Sequence, residues 1–201
     1  MKNILLGVCL LLSGCSTFLF YPTKEYVTDL SLIGIPVRDI RLETPDNICL
    51  NAWFVPAFDP KTKTETPPKG TILFLHGNAE NISTHILGVL WLSFEGYNLF
   101  ALDYRGFGQS QGSPSLSGAE TDIQTALGWL IKHQTGDIFV LGQSIGGALT
   151  LSAINKSPDK DKVSALVIDS AFSGTRKIAR EKIGASILFW AFQYPISWTV
   201  D

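Results

Sequence analysis

The run Asp137-Ile138-Phe139-Val140-Leu141-Gly142-Gln143-Ser144-Ile145-Gly146-Gly147-Ala148-Leu149 decides the fold. Its first part, Asp137 to Leu141, is apolar, β-branched and aromatic, the composition of a buried strand. Its last part continues as Ala148 to Ile154, an apolar helix pattern. A serine with glycine two positions before and two after joins them. In a strand–turn–helix setting, Gly-x-Ser-x-Gly predicts a sharp turn that lifts the serine hydroxyl above a sheet. Side chains at 142 and 146 would collide with such a turn. Ser144 is the candidate nucleophile, and the Ile145 N–H at the start of the helix is the candidate donor to a developing oxyanion.

Working outward, the same rhythm recurs. Thr71 to Leu75 reads as a buried strand, Asn81 to Glu95 as a helix closed by Gly96, and Tyr97 to Leu102 as a strand. Ser117 to Gln134 reads as a helix with Ser117 and Glu120 as a capping box and Ile123, Leu127, Leu130 and Ile131 on one face. Val163 to Ile168 is the next strand. Upstream, Val37 to Glu43 and Ile48 to Val55 alternate around Pro45-Asp46-Asn47, an antiparallel hairpin. Ala57 to Lys69, rich in Pro, Thr and Lys, reads as a solvated connector. The predicted class is α/β: a mainly parallel sheet covered on both faces, with the antiparallel hairpin at its N-terminal edge. Sites in such sheets lie beyond the carboxyl ends of the strands.

Three loops fall there. His76-Gly77-Asn78-Ala79 follows the Thr71–Leu75 strand. Gly77 permits close approach, and the Asn78 N–H is the candidate second oxyanion donor. His76 is expected to orient that loop rather than to catalyse. Asp103 to Ser110 is expected to be structural, with Asp103 and Arg105 paired locally. Asp169 ends the Val163–Ile168 strand and is a candidate acid. His85 is expected to pack or to face water, and His133 to be solvated.

The N-terminus carries an address. Met1-Lys2-Asn3, the apolar run Ile4 to Leu12, and Leu12-Ser13-Gly14-Cys15 make a signal peptide over residues 1–14, too short to span a bilayer. Leu-Ser-Gly-Cys resembles the bacterial lipobox, which implies acylation of Cys15 as the first mature residue. Ser16 after it, by the same resemblance, implies the outer membrane, with the protein facing the periplasm of the bacterial cell envelope. Residues 15–29 then form a lipidated tether, in which Phe18 to Tyr26 lies near the headgroups or packs on the domain edge. Cys49 is left without an intramolecular disulfide partner. The formal net charge of −2 comes with no basic patch, so nothing points to nucleic acid. No Cys/His cluster has metal-ligand spacing, and no cofactor is called for.

Together, His76-Gly77-Asn78, the Asp103–Ser110 run and Gly142 to Gly147 resemble the α/β-hydrolase superfamily. The resemblance is to its serine aminopeptidase-like and membrane-associated depalmitoylating branch, over about residues 20–201. It implies an α/β-hydrolase domain over residues 30–201, with a cap region from about residue 170 that includes the apolar run Ile187 to Phe192. It implies a serine hydrolase cleaving an ester, thioester or amide of a small-molecule or acyl substrate. The family order is serine, acid, histidine. His76, His85 and His133 all precede Ser144. The fold is therefore expected to be incomplete at the C-terminus, with the triad histidine and acid outside this chain. The alternative is a non-catalytic envelope lipoprotein that keeps the fold.

Overall fold

The computed structural model describes residues 19–171. The expected signal peptide, Cys15 and the expected cap from Phe172 onward lie outside the described residues.

The strands are β1 (Tyr21–Pro22), β2 (Arg38–Glu43), β3 (Cys49–Val55), β4 (Phe58–Asp59), β5 (Thr64–Glu65), β6 (Thr71–Leu75), β7 (Ala79–Glu80), β8 (Asn98–Asp103), β9 (Ile138–Gln143) and β10 (Val163–Asp169). The helices, labelled in chain order, are α1 (Ile82–Val89), α2 (Trp91–Phe94), α3 (Leu116–His133) and α4 (Ile145–Lys156). A six-stranded sheet has the order β10-β9-β6-β8-β3-β2. β10, β9, β6 and β8 run parallel, and β8, β3 and β2 are antiparallel.

Strict alternation builds two cores from one sheet, because successive side chains point to opposite faces. Leu50, Ala52 and Phe54 of β3, Leu73 and Leu75 of β6, and Phe100 and Leu102 of β8 face Ile123, Leu127 and Leu130 of α3 and Leu149 and Ala153 of α4. Trp53 and Val55, Ile72 and Phe74, and Leu99 and Ala101 face Ile82 and Ile86 of α1, with Leu30, Ile35 and Phe58.

Several local expectations are corrected. Helix α3 starts at Leu116, capped by Ser115, whose Oγ accepts from the Gly118 N–H at 3.1 Å. The Ser117–Glu120 capping box does not form. Glu120 instead accepts from Ser152 Oγ at 2.6 Å and Lys156 Nζ at 2.7 Å, tying α3 to α4. The helix read over 81–95 is two helices broken at Leu90, its first capped by Asn81. The 57–69 connector contains the β4–β5 hairpin and buries Ala57 and Phe58. Arg105 does not pair with Asp103. It binds Asp122 through Nε at 3.0 Å and Nη2 at 2.8 Å, and Asp46 through Nη1 at 2.7 Å. Burial raises the Asp122 carboxyl, and the Arg105 hydrogen bonds offset this without cancelling it.

Residues 19–27 pack on the domain rather than standing clear of it. Phe20 is buried in the core, edge-on to Phe107 at 5.9 Å. β1 pairs in parallel with β7, and Thr23 N–H donates to Glu80 O at 3.0 Å.

Candidate active site

β9 enters the turn at Gln143, and α4 leaves it at Ile145. Ser144 between them has φ 55° and ψ −118°. A non-glycine residue at such a φ is strained, and it persists only where its surroundings enforce it. Here they do. The Ser144 N–H donates to Asp169 O at 2.8 Å, and the Ser144 carbonyl accepts from Gly147 N–H at 3.1 Å and Ala148 N–H at 3.3 Å.

The flanking glycines are required by close approach. None of Gly142, Gly146 or Gly147 has a positive φ. A Cβ on Gly142 would lie 2.6 Å from Thr150 Oγ1 and 2.7 Å from the Gly147 Cα. A Cβ on Gly146 would press on the Leu75 carbonyl oxygen and lie 2.6 Å from the His76 oxygen. One on Gly147 would meet Ala171 and Ile168. The helix can therefore start hard against the ends of β6 and β10.

That packing brings the His76–Ala79 loop to the serine. A Cβ on Gly77 would be 3.9 Å from the Ser144 Cβ. Among the described residues, neither the Asn78 N–H nor the Ile145 N–H donates to any acceptor. An oxyanion hole requires two uncommitted amides near the nucleophile, so Asn78 and Ile145 remain the candidates for that role.

The loop is braced from three sides. His76 is fully buried, with Nδ1 2.8 Å from Gly77 O and Nε2 3.5 Å from the Asp103 carboxylate. Its ring packs on Tyr104 at 4.7 Å and Phe107 at 5.0 Å. Asp103 accepts from the Ile82 N–H at 2.8 Å and from Tyr26 Oη at 2.6 Å. Burial, with the Asp103 carboxylate beside it, holds the Tyr26 phenol well above its ordinary range, so it stays a donor. The third brace is the N-terminal strap. Asn78 Nδ2 donates to Leu19 O at 3.0 Å, and Tyr21 N–H donates to Asn78 O at 2.7 Å. Asn81 Nδ2 reaches Glu25 O at 2.7 Å and Thr23 Oγ1 at 3.0 Å.

His85 stands at the centre of this arrangement. Its Nδ1 is 2.9 Å from the Gln143 side-chain oxygen and its Nε2 is 3.1 Å from Ala79 O. It clamps the residue before the serine to the His76–Ala79 loop. Two acceptor oxygens take two N–H bonds only from a protonated ring. A neutral ring makes both contacts with the Gln143 amide turned over. Either way both nitrogens are engaged, and neither serves Ser144. In the sequence the only sign of this is a histidine one turn into the helix that follows the loop.

The remaining candidates are placed as follows. Asp169 ends β10 beside the elbow, but its carbonyl touches Ser144, while its carboxylate accepts from Ser170 Oγ at 2.8 Å. His133 is exposed at the far end of α3, stacked on Trp129 at 4.3 Å. Among the described residues no group of three or more His, Cys, Asp or Glu could hold a metal.

The family model described as serine aminopeptidase, S33, matches residues 66–194. The chain is 35% identical over 174 residues to the uncharacterized protein YfhR of Escherichia coli K12, covering 84% of this chain and 58% of that one. It is 33% identical over 186 residues to the alpha/beta hydrolase domain-containing protein WAV2 of Arabidopsis thaliana, covering 88% of this chain and 58% of that one. The chain thus spans less than two thirds of the length of these relatives. Its fold is similar to that of the Pyrococcus furiosus esterase Pf2001, with a TM-score of 0.67, 20% identity, and 91% of this chain and 70% of that one covered. The strained serine between β9 and α4, the glycines that let it sit there and the matching family model agree: the chain belongs to the serine aminopeptidase S33 family of α/β hydrolases.

Proposed function

We propose that the protein is a lipid-anchored serine hydrolase of the bacterial envelope that cleaves an ester, thioester or amide through an acyl-enzyme on Ser144. The observation that carries this reading is the Ser144 backbone, held at φ 55° next to the Gly77 loop, where among the described residues the Asn78 and Ile145 N–H groups have no hydrogen-bond acceptor. Such strain is stored where a mechanism uses it.

Ser144 Oγ attacks the substrate carbonyl carbon and gives its proton to a base. The carbonyl oxygen becomes an oxyanion facing the Asn78 and Ile145 N–H groups. The bond to the leaving group breaks, and that group takes the proton. Water then repeats the sequence on the acyl-enzyme, releases a carboxylic acid and restores Ser144. The base comes from outside the described residues, because His76, His85 and His133 are engaged elsewhere. Asp169 is the candidate acid within them. Leu12-Ser13-Gly14-Cys15 and Ser16 support acylation of Cys15 and an outer-membrane location facing the periplasm.

The commitment of all three histidines favours a second reading, an envelope lipoprotein that keeps the fold without the activity. The test is turnover of a short activated ester by the protein as expressed from its own gene, beside Ser144→Ala. Turnover lost in the variant supports the enzyme. Absence of turnover in both supports the second reading.

A further inference from the structure

The strap ties the membrane anchor to the candidate site. Only Ser16, Thr17 and Phe18 separate Cys15 from Leu19. Fully extended, the four steps from Cys15 to Leu19 reach at most about 14 Å. Leu19 is already fixed, because its carbonyl accepts from the Asn78 side chain at 3.0 Å and Phe20 behind it is buried. There is no slack further along. Tyr21 N–H holds Asn78 O at 2.7 Å, Thr23 O accepts from Gly108 N–H at 2.9 Å, and Lys24 Nζ donates to Ser110 O at 2.7 Å. The strap therefore crosses the loops after both β6 and β8, on the carboxyl-end rim of the sheet.

Scale limits the orientation. A domain of about 150 residues is roughly 40 Å across. A leash of about 14 Å cannot carry the opposite end of the sheet to a bilayer that holds Cys15. Tyr21, next to the leash, is 62% exposed. An aromatic ring with a polar tip suits the headgroup layer.

We infer that the acylated Cys15 holds the carboxyl end of the sheet against the bilayer, so that the oxyanion loop and Ser144 are offered to acyl esters resident in that bilayer. This rests on the anchoring and hydrolase readings above, and it adds an orientation and a substrate class to them. It also gives the strap a reason to brace Asn78: the segment that positions the domain also positions the loop.

The first test needs no catalysis. The lipidated Cys49→Ser protein is placed in phosphatidylcholine vesicles that contain a headgroup-nitroxide lipid. It carries a single fluorophore at Glu80→Cys, at Gln109→Cys on the neighbouring loop, or at Lys132→Cys near the far end of α3. The sheet end and Lys132 are separated by about 17 Å along β9 alone. Quenching should be several-fold stronger at 80 and 109 than at 132. Twenty Gly/Ser residues inserted between Thr17 and Phe18 should make the three positions equal. Equal quenching in the unlengthened chain, or stronger quenching at 132, overturns the orientation. A Cys15→Ala protein that stays in the membrane fraction overturns the anchor itself. The second test compares a long-chain ester carried in vesicles with a water-soluble short-chain ester, using the protein as expressed from its own gene. The insertion should lower the first rate tenfold or more and leave the second unchanged. Equal rates on the vesicle ester overturn the substrate class. No hydrolysis of either ester overturns the hydrolase reading instead.

Discussion

Gly146→Ala should destabilise the protein although it improves a helix. Gly146 is the second residue of α4, and Ala in place of Gly favours a helix interior by about 1 kcal/mol. The added methyl, however, would sit 2.6 Å from the His76 oxygen, 2.8 Å from the Leu75 carbonyl carbon and closer still to the Leu75 oxygen. An ordinary contact begins near 3.4 Å, so backbone must move by about 0.8 Å or more. These are main-chain atoms of β6 and the loop after it, not the far end of a flexible side chain. Overpacking costs about 1–3 kcal/mol, and a clash this close with backbone belongs in the upper part of that range, about 2–3 kcal/mol, which exceeds the helix gain. A net loss of about 1–2 kcal/mol should lower Tm by roughly 2–8 °C for a domain of this size. Gly88→Ala in α1 and Gly128→Ala in α3 are the controls. Nothing lies within 4 Å of a methyl at either, and both should gain up to about 1 kcal/mol. Urea unfolding of the three variants against the parent reads the sign directly. A Gly146→Ala protein as stable as Gly88→Ala would refute the close approach of α4 to the β6 loop.

Other outcomes follow from the same geometry. Ser144→Gly should raise unfolding stability by up to about 2 kcal/mol, since relief of φ 55° is offset in part by the unfolded-chain entropy of glycine, while it abolishes any activity; a clear loss of stability would show that the turn is not strained. His85→Ala should lower kcat about tenfold to a hundredfold with little change in KM, because it unclamps Gln143 from Ala79; a KM effect alone would make His85 a substrate contact.

The sheet was legible because its signal is local and repetitive. Leu50, Ala52 and Phe54 against Trp53 and Val55 declare two buried faces in one heptapeptide. The elbow was legible because its glycines are demanded within five residues of chain. What escaped was long-range and polar. His85 meets Gln143 across 58 positions, and Arg105 finds Asp122 and Asp46 rather than its neighbour Asp103. No period or spacing encodes such pairs. The strap escaped for a related reason: β1 is a strand of two residues, and residues 19, 23 and 25 on either side of it are held by the Asn78 and Asn81 side chains and the Glu80 carbonyl. The cap of α3 was misplaced by two residues because Ser115 and Ser117 both suit an N-cap, and Glu120 was drawn to Lys156 instead.

The central claim is that Ser144 is a nucleophile, and covalent labelling tests it most directly. Membranes holding the protein as expressed from its own gene are treated with a fluorophosphonate, digested, and read by mass spectrometry. The predicted result is one adduct, on Ser144, absent from Ser144→Ala. An adduct on any other residue, or labelling that persists in Ser144→Ala, would contradict the account.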